Sequence, residues 1–299
     1  MTRLTGERSR SGPRHPRRPF TLSDSDRERL SARLDLALQR ARRSGQPTLA
    51  TVTCALADDV DPSAVVCASR RIEEPWFVFE QPDRGGAALA GLGEAIRIED
   101  AGPDRFVTVA DRWRSLSAKA VADSPGEQGG GGPIAVGGFA FAPDGGGSPA
   151  WRGFEPASLI VPEVTLTRER HDGKHRVRLT LAALVQPDDT AEEVLGALDR
   201  RLEELSDAPL PLLDPAPTGR FQVSSGMPPE HFEGAVARAT ETIRAGDLQK
   251  IVLAREVQVH APSDYDPAAV FGVLRDAFPS CFVFCIGRGD ATLVAASPE

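Results

Sequence analysis

The sequence is poor in the residues that make redox, metal and membrane chemistry legible. Its 299 residues hold four cysteines and five histidines. Cys54, Cys67, Cys281 and Cys285 form no CxxC pair, which argues against a zinc ribbon or a thioredoxin-type dithiol. Cys281 and Cys285 fall in one apolar strand, with Cα atoms ~13 Å apart, beyond disulfide reach. Reduced core thiols in a cytoplasmic protein follow. The histidines lack metal-ligand spacing, and His171 and His175 flank a turn. No apolar run reaches the ~20 residues that span a bilayer. There is no GxSxG elbow, no HExxH and no Walker loop, because Gly129–Gly132 lacks the following Lys-Ser/Thr.

Charge is unevenly distributed. Arg3, Arg8, Arg10, Arg14, Arg17 and Arg18 stand against Glu7 alone in the first nineteen residues, so the rest is more acidic than the net charge of −8 suggests. An acidic body argues against nucleic-acid binding. The tail has no apolar h-region and carries Pro13, Pro16 and Pro19, so residues 1–20 are expected to be a disordered arm rather than a secretory signal or a membrane anchor.

Periodicity supplies the elements. Leu30, Leu34 and Leu38 place a helix over Asp24–Arg43. Short strands are predicted at Thr48–Leu56, Trp76–Glu80, Phe106–Ala110 and Ile134–Phe141, with loops at Ser124–Pro133 and Pro143–Pro149. Val161–Arg170 and Lys174–Val185 flank Asp172-Gly173, a hairpin turn pair. Alternation of Val177, Leu179, Leu181 and Ala183 with polar residues predicts a sheet with one wet face. Thr190 caps a helix over Ala191–Leu205. The prolines between Ser206 and Gly219 break the chain, dividing residues 21–220 from 221–299. Beyond them come a helix over Pro228–Asp247, a strand over Ile251–His260, a helix from Pro267, and strands Cys281–Ile286 and Ala291–Ala296. Hairpin-joined strands with helices set aside predict an α+β protein, antiparallel sheets with helices packed outside, rather than a doubly wound fold.

One stretch suggests chemistry. Leu248-Gln249-Lys250-Ile251-Val252-Leu253-Ala254-Arg255 puts a lysine at the mouth of an apolar strand, on the face of Val252 and Ala254. Desolvation there lowers an ammonium pKa, and reaching ~7–8 from ~10.4 costs about 4 kcal/mol and makes a general base. On the residues alone, a solvated lysine guarding a strand end is the better explanation of the pattern.

That stretch, followed by Ala295-Ala296-Ser297-Pro298-Glu299, resembles the chorismate-utilising enzymes, isochorismate synthases and anthranilate synthase component I among them. The helical stretch leading into it, from His231 to Lys250, is similar to the entry helix of the same family. Upstream, Glu74-Pro75-Trp76-Phe77-Val78-Phe79-Glu80-Gln81-Pro82-Asp83-Arg84, Gly137-Gly138-Phe139-Ala140-Phe141 and Trp151-Arg152-Gly153-Phe154 resemble the isochorismate synthases in particular. The resemblance implies chorismate as substrate, Mg²⁺ as cofactor, a monomer, and a place in menaquinone or siderophore synthesis. It implies Lys250 as general base toward water and Glu299 as general acid toward the departing hydroxyl. The ammonia-using members carry glutamine at the lysine, which leaves salicylate synthase as the alternative within the family and a non-catalytic relative outside it. The resemblance places the metal ligands beyond residue 299, so residues 1–299 alone are expected to be inactive and poorly folded after residue 226, with 221–299 an incomplete catalytic domain.

Overall fold

The computed structural model describes residues 20–123, 132–147 and 149–298. The basic arm, most of the glycine-rich loop and Glu299 lie outside them. In chain order the elements are α1 (Asp24–Ser44), β1 (Thr48–Leu56), α2 (Pro62–Ser69), β2 (Trp76–Gln81), β3 (Ala87–Leu92), β4 (Ile96–Asp100), α3 (Arg105–Lys119), β5 (Val136–Phe139), β6 (Ala157–Val161), β7 (Val164–His171), β8 (Lys174–Val185), α4 (Ala191–Glu203), β9 (Gln222–Ser224), α5 (Pro229–Arg244), β10 (Gln258–His260), α6 (Pro267–Ala277), β11 (Phe282–Arg288) and β12 (Ala291–Ser297). They fall into two compact units, one of residues up to Pro211 together with Pro267 onward, the other Leu212–Asp266. The division at 220 and 221 expected from sequence does not describe these units, because α6, β11 and β12 join the first.

The first unit is built on a seven-stranded sheet of order β1-β8-β7-β3-β2-β11-β12, antiparallel throughout. Local chemistry sets its helices. Ser23 accepts the Asp26 N–H at the start of α1, and Gly45 ends it at φ 66°, a conformation glycine reaches without Cβ strain. Leu30, Leu34, Ala37, Leu38 and Ala41 form its buried stripe, facing Val52, Cys54, Leu179 and Leu181 in the main core. Thr190 and Glu193 close a capping box on α4. Asp172 and Gly173 turn the β7–β8 hairpin with φ of 49° and 78°.

A smaller sheet, β4-β6-β5, is also antiparallel. It changes the expected environment of β8. That strand has no wet face at its centre: Arg178, Thr180 and Ala182 are buried. Ala182 and Leu49 pack with Ile96, Ile98, Val109, Ala157 and Val161, so the small sheet and α3 cover the face that alternation assigned to water. Thr180 meets Thr53 at 2.9 Å between hydroxyls, which satisfies both polar groups under that cover.

Phe106–Ala110 was expected as a strand and is instead the first turn and a half of α3. The buried Arg105 holds the helix start, its guanidinium donating to the carbonyls of Gly102, Ala140 and Phe141 at 2.7–3.0 Å. Only Val109 of this apolar run is buried, while Phe106 and Val107 face outward. Tertiary context overrides the β preference of a short Phe-Val-Thr-Val run.

In the second unit, α5 lies in the chain between the two strands of a ribbon in which β10 pairs with β9. Gly246 follows the α5 C-cap at φ 87°. The strand expected over Ile251–His260 forms only at Gln258–His260. A strand must pair its backbone and cover its apolar side chains, and β9 offers three residues to pair with. Ile251 and Val252 are correspondingly exposed. Among the described residues no helix is long and apolar enough to cross a membrane.

Candidate functional site

Lys250 stands in the second unit, just past α5, in a stretch without regular structure. The last turn of α5 is held by Ala245 N–H to Glu241 O at 2.9 Å and Asp247 N–H to Thr242 O at 3.2 Å. Lys250 is exposed, so the apolar strand face expected to shield it is not there. The reason is the missing strand: residues 251–257 do not present Val252 and Ala254 on one face beside it. The Ser-Pro-Glu segment belongs to the first unit. Ser297 ends β12 opposite Phe282, and Glu299, the expected acid, lies outside the described residues.

The resemblance-bearing segments of the first unit have structural roles that sequence reading did not separate from chemistry. Glu74 is bound by the buried Arg201 at 2.5 Å. Trp76 is buried on β2 under the Arg70 guanidinium at 4.9 Å. Phe79 packs on Phe282 and Phe284 with centroids 5.4 and 6.1 Å apart, pinning β2 to β11. All four cysteines are buried and none is in a disulfide. Burial, reinforced by Asp26, pushes the Cys54 thiol up to about 12, which suits an inert core thiol.

Sequence reading missed a buried ionic cluster. The Glu80 carboxylate on β2 accepts from Ser63 Oγ at 2.5 Å, with Arg275 of α6 at 3.4 Å and Arg168 of β7 at 3.7 Å. Arg275 sits closer to Asp61, at 3.0 Å, and Asp61 also caps α2. Burial pushes the Glu80 carboxyl above its ordinary value; the Ser63 hydroxyl opposes this, Asp61 adds to it, and Arg275 and Arg168 pull the other way. Burial prevails because both guanidinium groups are shared with other acceptors. A carboxyl with a raised pKa binds more protons folded than unfolded, so its contribution favours the fold at low pH and is lost as pH rises through the folded value. Denaturant titrations of wild type and Glu80→Gln are therefore expected to diverge with pH. Wild type should lose stability relative to the variant on going from pH 4.5 to 7, and a constant difference across that range would contradict the assignment.

Among the described residues no group of three or more His, Cys, Asp or Glu side chains stands close enough to hold a metal ion. The Mg²⁺ that the resemblance implies has no donor set in them.

Comparison with known proteins gives these features a context. A chain from Pseudomonas aeruginosa described as salicylate biosynthesis isochorismate synthase is 28% identical over 271 residues, 90% of this chain and 54% of that one. The anthranilate synthase component 1 of Haloferax volcanii is 32% identical over 142 residues, 46% of this chain and 26% of its own. The solved structure of MenF, the menaquinone-specific isochorismate synthase from Escherichia coli, superimposes with a TM-score of 0.57 at 21% identity, over 89% of this chain and 55% of that one. The α+β fold with antiparallel sheets is thus shared with MenF. The chain spans about half the length of the curated relative that it matches over most of its own length. The family model described as chorismate binding enzyme matches residues 36–299, and the chain belongs to that family.

Proposed function

We propose that this chain serves the conversion of chorismate to isochorismate. Water adds at C2 of the ring and the C4 hydroxyl leaves as water, so the reaction is an isomerisation. Lys250 takes the proton from the attacking water, and Glu299 gives one to the departing hydroxyl on the opposite side. The chemistry calls for one group that accepts a proton and one that donates it. The observation that carries the reading is Lys250 itself, within a family match that runs from residue 36 to 299. A lysine there favours water as nucleophile, whereas the resemblance gives the ammonia-using members glutamine. Mg²⁺ dependence belongs to the proposal, although the proton transfers described do not use the ion.

The first test is product analysis, with the protein purified as its source cell makes it, supplied with chorismate and Mg²⁺. Isochorismate as the sole product is expected. Salicylate with pyruvate would transfer the assignment to the salicylate synthases, and anthranilate formed from ammonia would remove water as the nucleophile.

A further inference from the structure

A second kind of site is laid out in the first unit alone. A cleft of about 520 Å³ lies where the loop after β5 faces the β11–β12 hairpin, a size in the usual range for a small-molecule site. Its walls are Phe139, Phe141, Trp151, Phe154, Ile286 and Leu293. Three of these aromatic side chains, Phe139, Phe141 and Trp151, are exposed. Trp151 and Phe154 meet edge to face at 5.8 Å, which fixes the indole. Gly146 makes room for it, since a Cβ at that position would come within 2.6 Å of the indole ring.

Arg288, the last residue of β11, brings the charge. Its Nη1 is shut off from solvent and has no hydrogen-bond partner among the described residues. The acids nearest in influence are already engaged: Arg97 holds Glu94 at 2.7 Å and Glu99 at 3.4 Å. Glu155 stands exposed at the rim. Burial, with Arg97 adding its like charge, holds the Arg288 guanidinium below its ordinary value. A half-buried guanidinium beside apolar walls, its Nη1 enclosed without an acceptor, is a demand that a carboxylate meets.

We infer that this cleft binds a small planar carboxylate, its ring against the aromatic wall and its carboxylate on Arg288. A monoanion fits better than a phosphate, because one guanidinium set among hydrophobic side chains offers too few donors for a dianion. Every lining residue belongs to the first unit, so the inference does not rest on Lys250, and its failure would leave the isomerase reading untouched.

The test is calorimetric titration of the purified chain with benzoate and with benzamide, the neutral molecule of the same shape. Benzoate is expected to bind at least about tenfold more tightly, the ratio that one charge-assisted pair supplies. Arg288→Gln should abolish that preference while leaving benzamide binding unchanged, and Trp151→Leu should weaken both ligands. Equal affinity for the two molecules in the wild-type chain would overturn the inference, as would benzoate binding that survives Arg288→Gln. Should Arg288→Gln fail to fold by circular dichroism, the wild-type ratio and Trp151→Leu decide the matter. Self-association in sedimentation that excludes benzoate would assign the aromatic patch to a second copy of this chain instead.

Discussion

In the protein as its source cell makes it, replacing Lys250 with alanine is expected to lower chorismate turnover by about 10²–10⁴-fold, the usual contribution of a positioned general base. The loss should fall on kcat with little change in KM, since the base acts on water in the transition state rather than on the bound substrate. Far-UV circular dichroism and the denaturation midpoint should not move, because Lys250 is exposed and its removal opens no cavity. Lys250→Arg should be about as inactive as the alanine variant, since a guanidinium does not give up its proton at working pH. A variant that kept more than a tenth of the wild-type rate would remove Lys250 from the chemistry. An unfolded variant would point to a structural role.

Asp123→Ala is expected to cost about 3 kcal/mol of folding stability, the lower end of what breaking a buried ion pair costs, since both arginine partners are partly exposed. The Asp123 side chain is 1% exposed and binds Arg33 at 2.6 Å and Arg29 at 2.9 Å. Its other oxygen accepts the Thr53 N–H of β1 at 2.8 Å. The same segment lies along β1, with Val121 N–H on Leu49 O at 2.8 Å and Thr51 N–H on Val121 O at 2.9 Å. Truncation therefore strands one backbone donor at an outer strand of the sheet and takes the shared carboxylate from two arginines, of which Arg29 keeps Asp26 and Arg33 the Ala122 carbonyl. Asp123→Asn keeps the acceptor for Thr53 and loses the charge, so its cost should be smaller. Urea denaturation of the three proteins measures the series, and an alanine variant within 1 kcal/mol of wild type would show that water replaces the carboxylate there.

What the sequence made legible is what neighbouring residues decide. The Leu30, Leu34 and Leu38 stripe placed α1, and the observed helix ends one residue past the expected Arg43. Asp172-Gly173 fixed the register of β7 on β8, and Thr190 marked the start of α4. Readings that needed a distant partner failed. The run at Phe106 became helical because Arg105 found carbonyls at residues 140 and 141. The apolar residues after Lys250 stayed out of a strand because strandhood depends on a neighbour, and Gln258–His260 alone found one. The Glu80 cluster was invisible for the same reason: Asp61, Glu80, Arg168 and Arg275 come from four separate elements, and no local pattern marks them. The family motifs named Lys250 and Glu299, but as types at positions; the expected shielding of Lys250 was a statement about packing and did not hold.

The place of β11 has a consequence for synthesis. It lies between β2 and β12, with Val283 opposite Glu80. These partners are about 200 residues apart, and closing so long a loop is slow. On the ribosome, β2 must wait with one side bare while the intervening residues emerge, and an unpaired strand edge invites association with other nascent chains. Arg84 stacked on Phe282 at 5.5 Å and Arg275 reaching Asp61 are contacts that wait for the segment from α6 to β11. One end of the main sheet, β11 with β12, is therefore the last part of it to be translated into place.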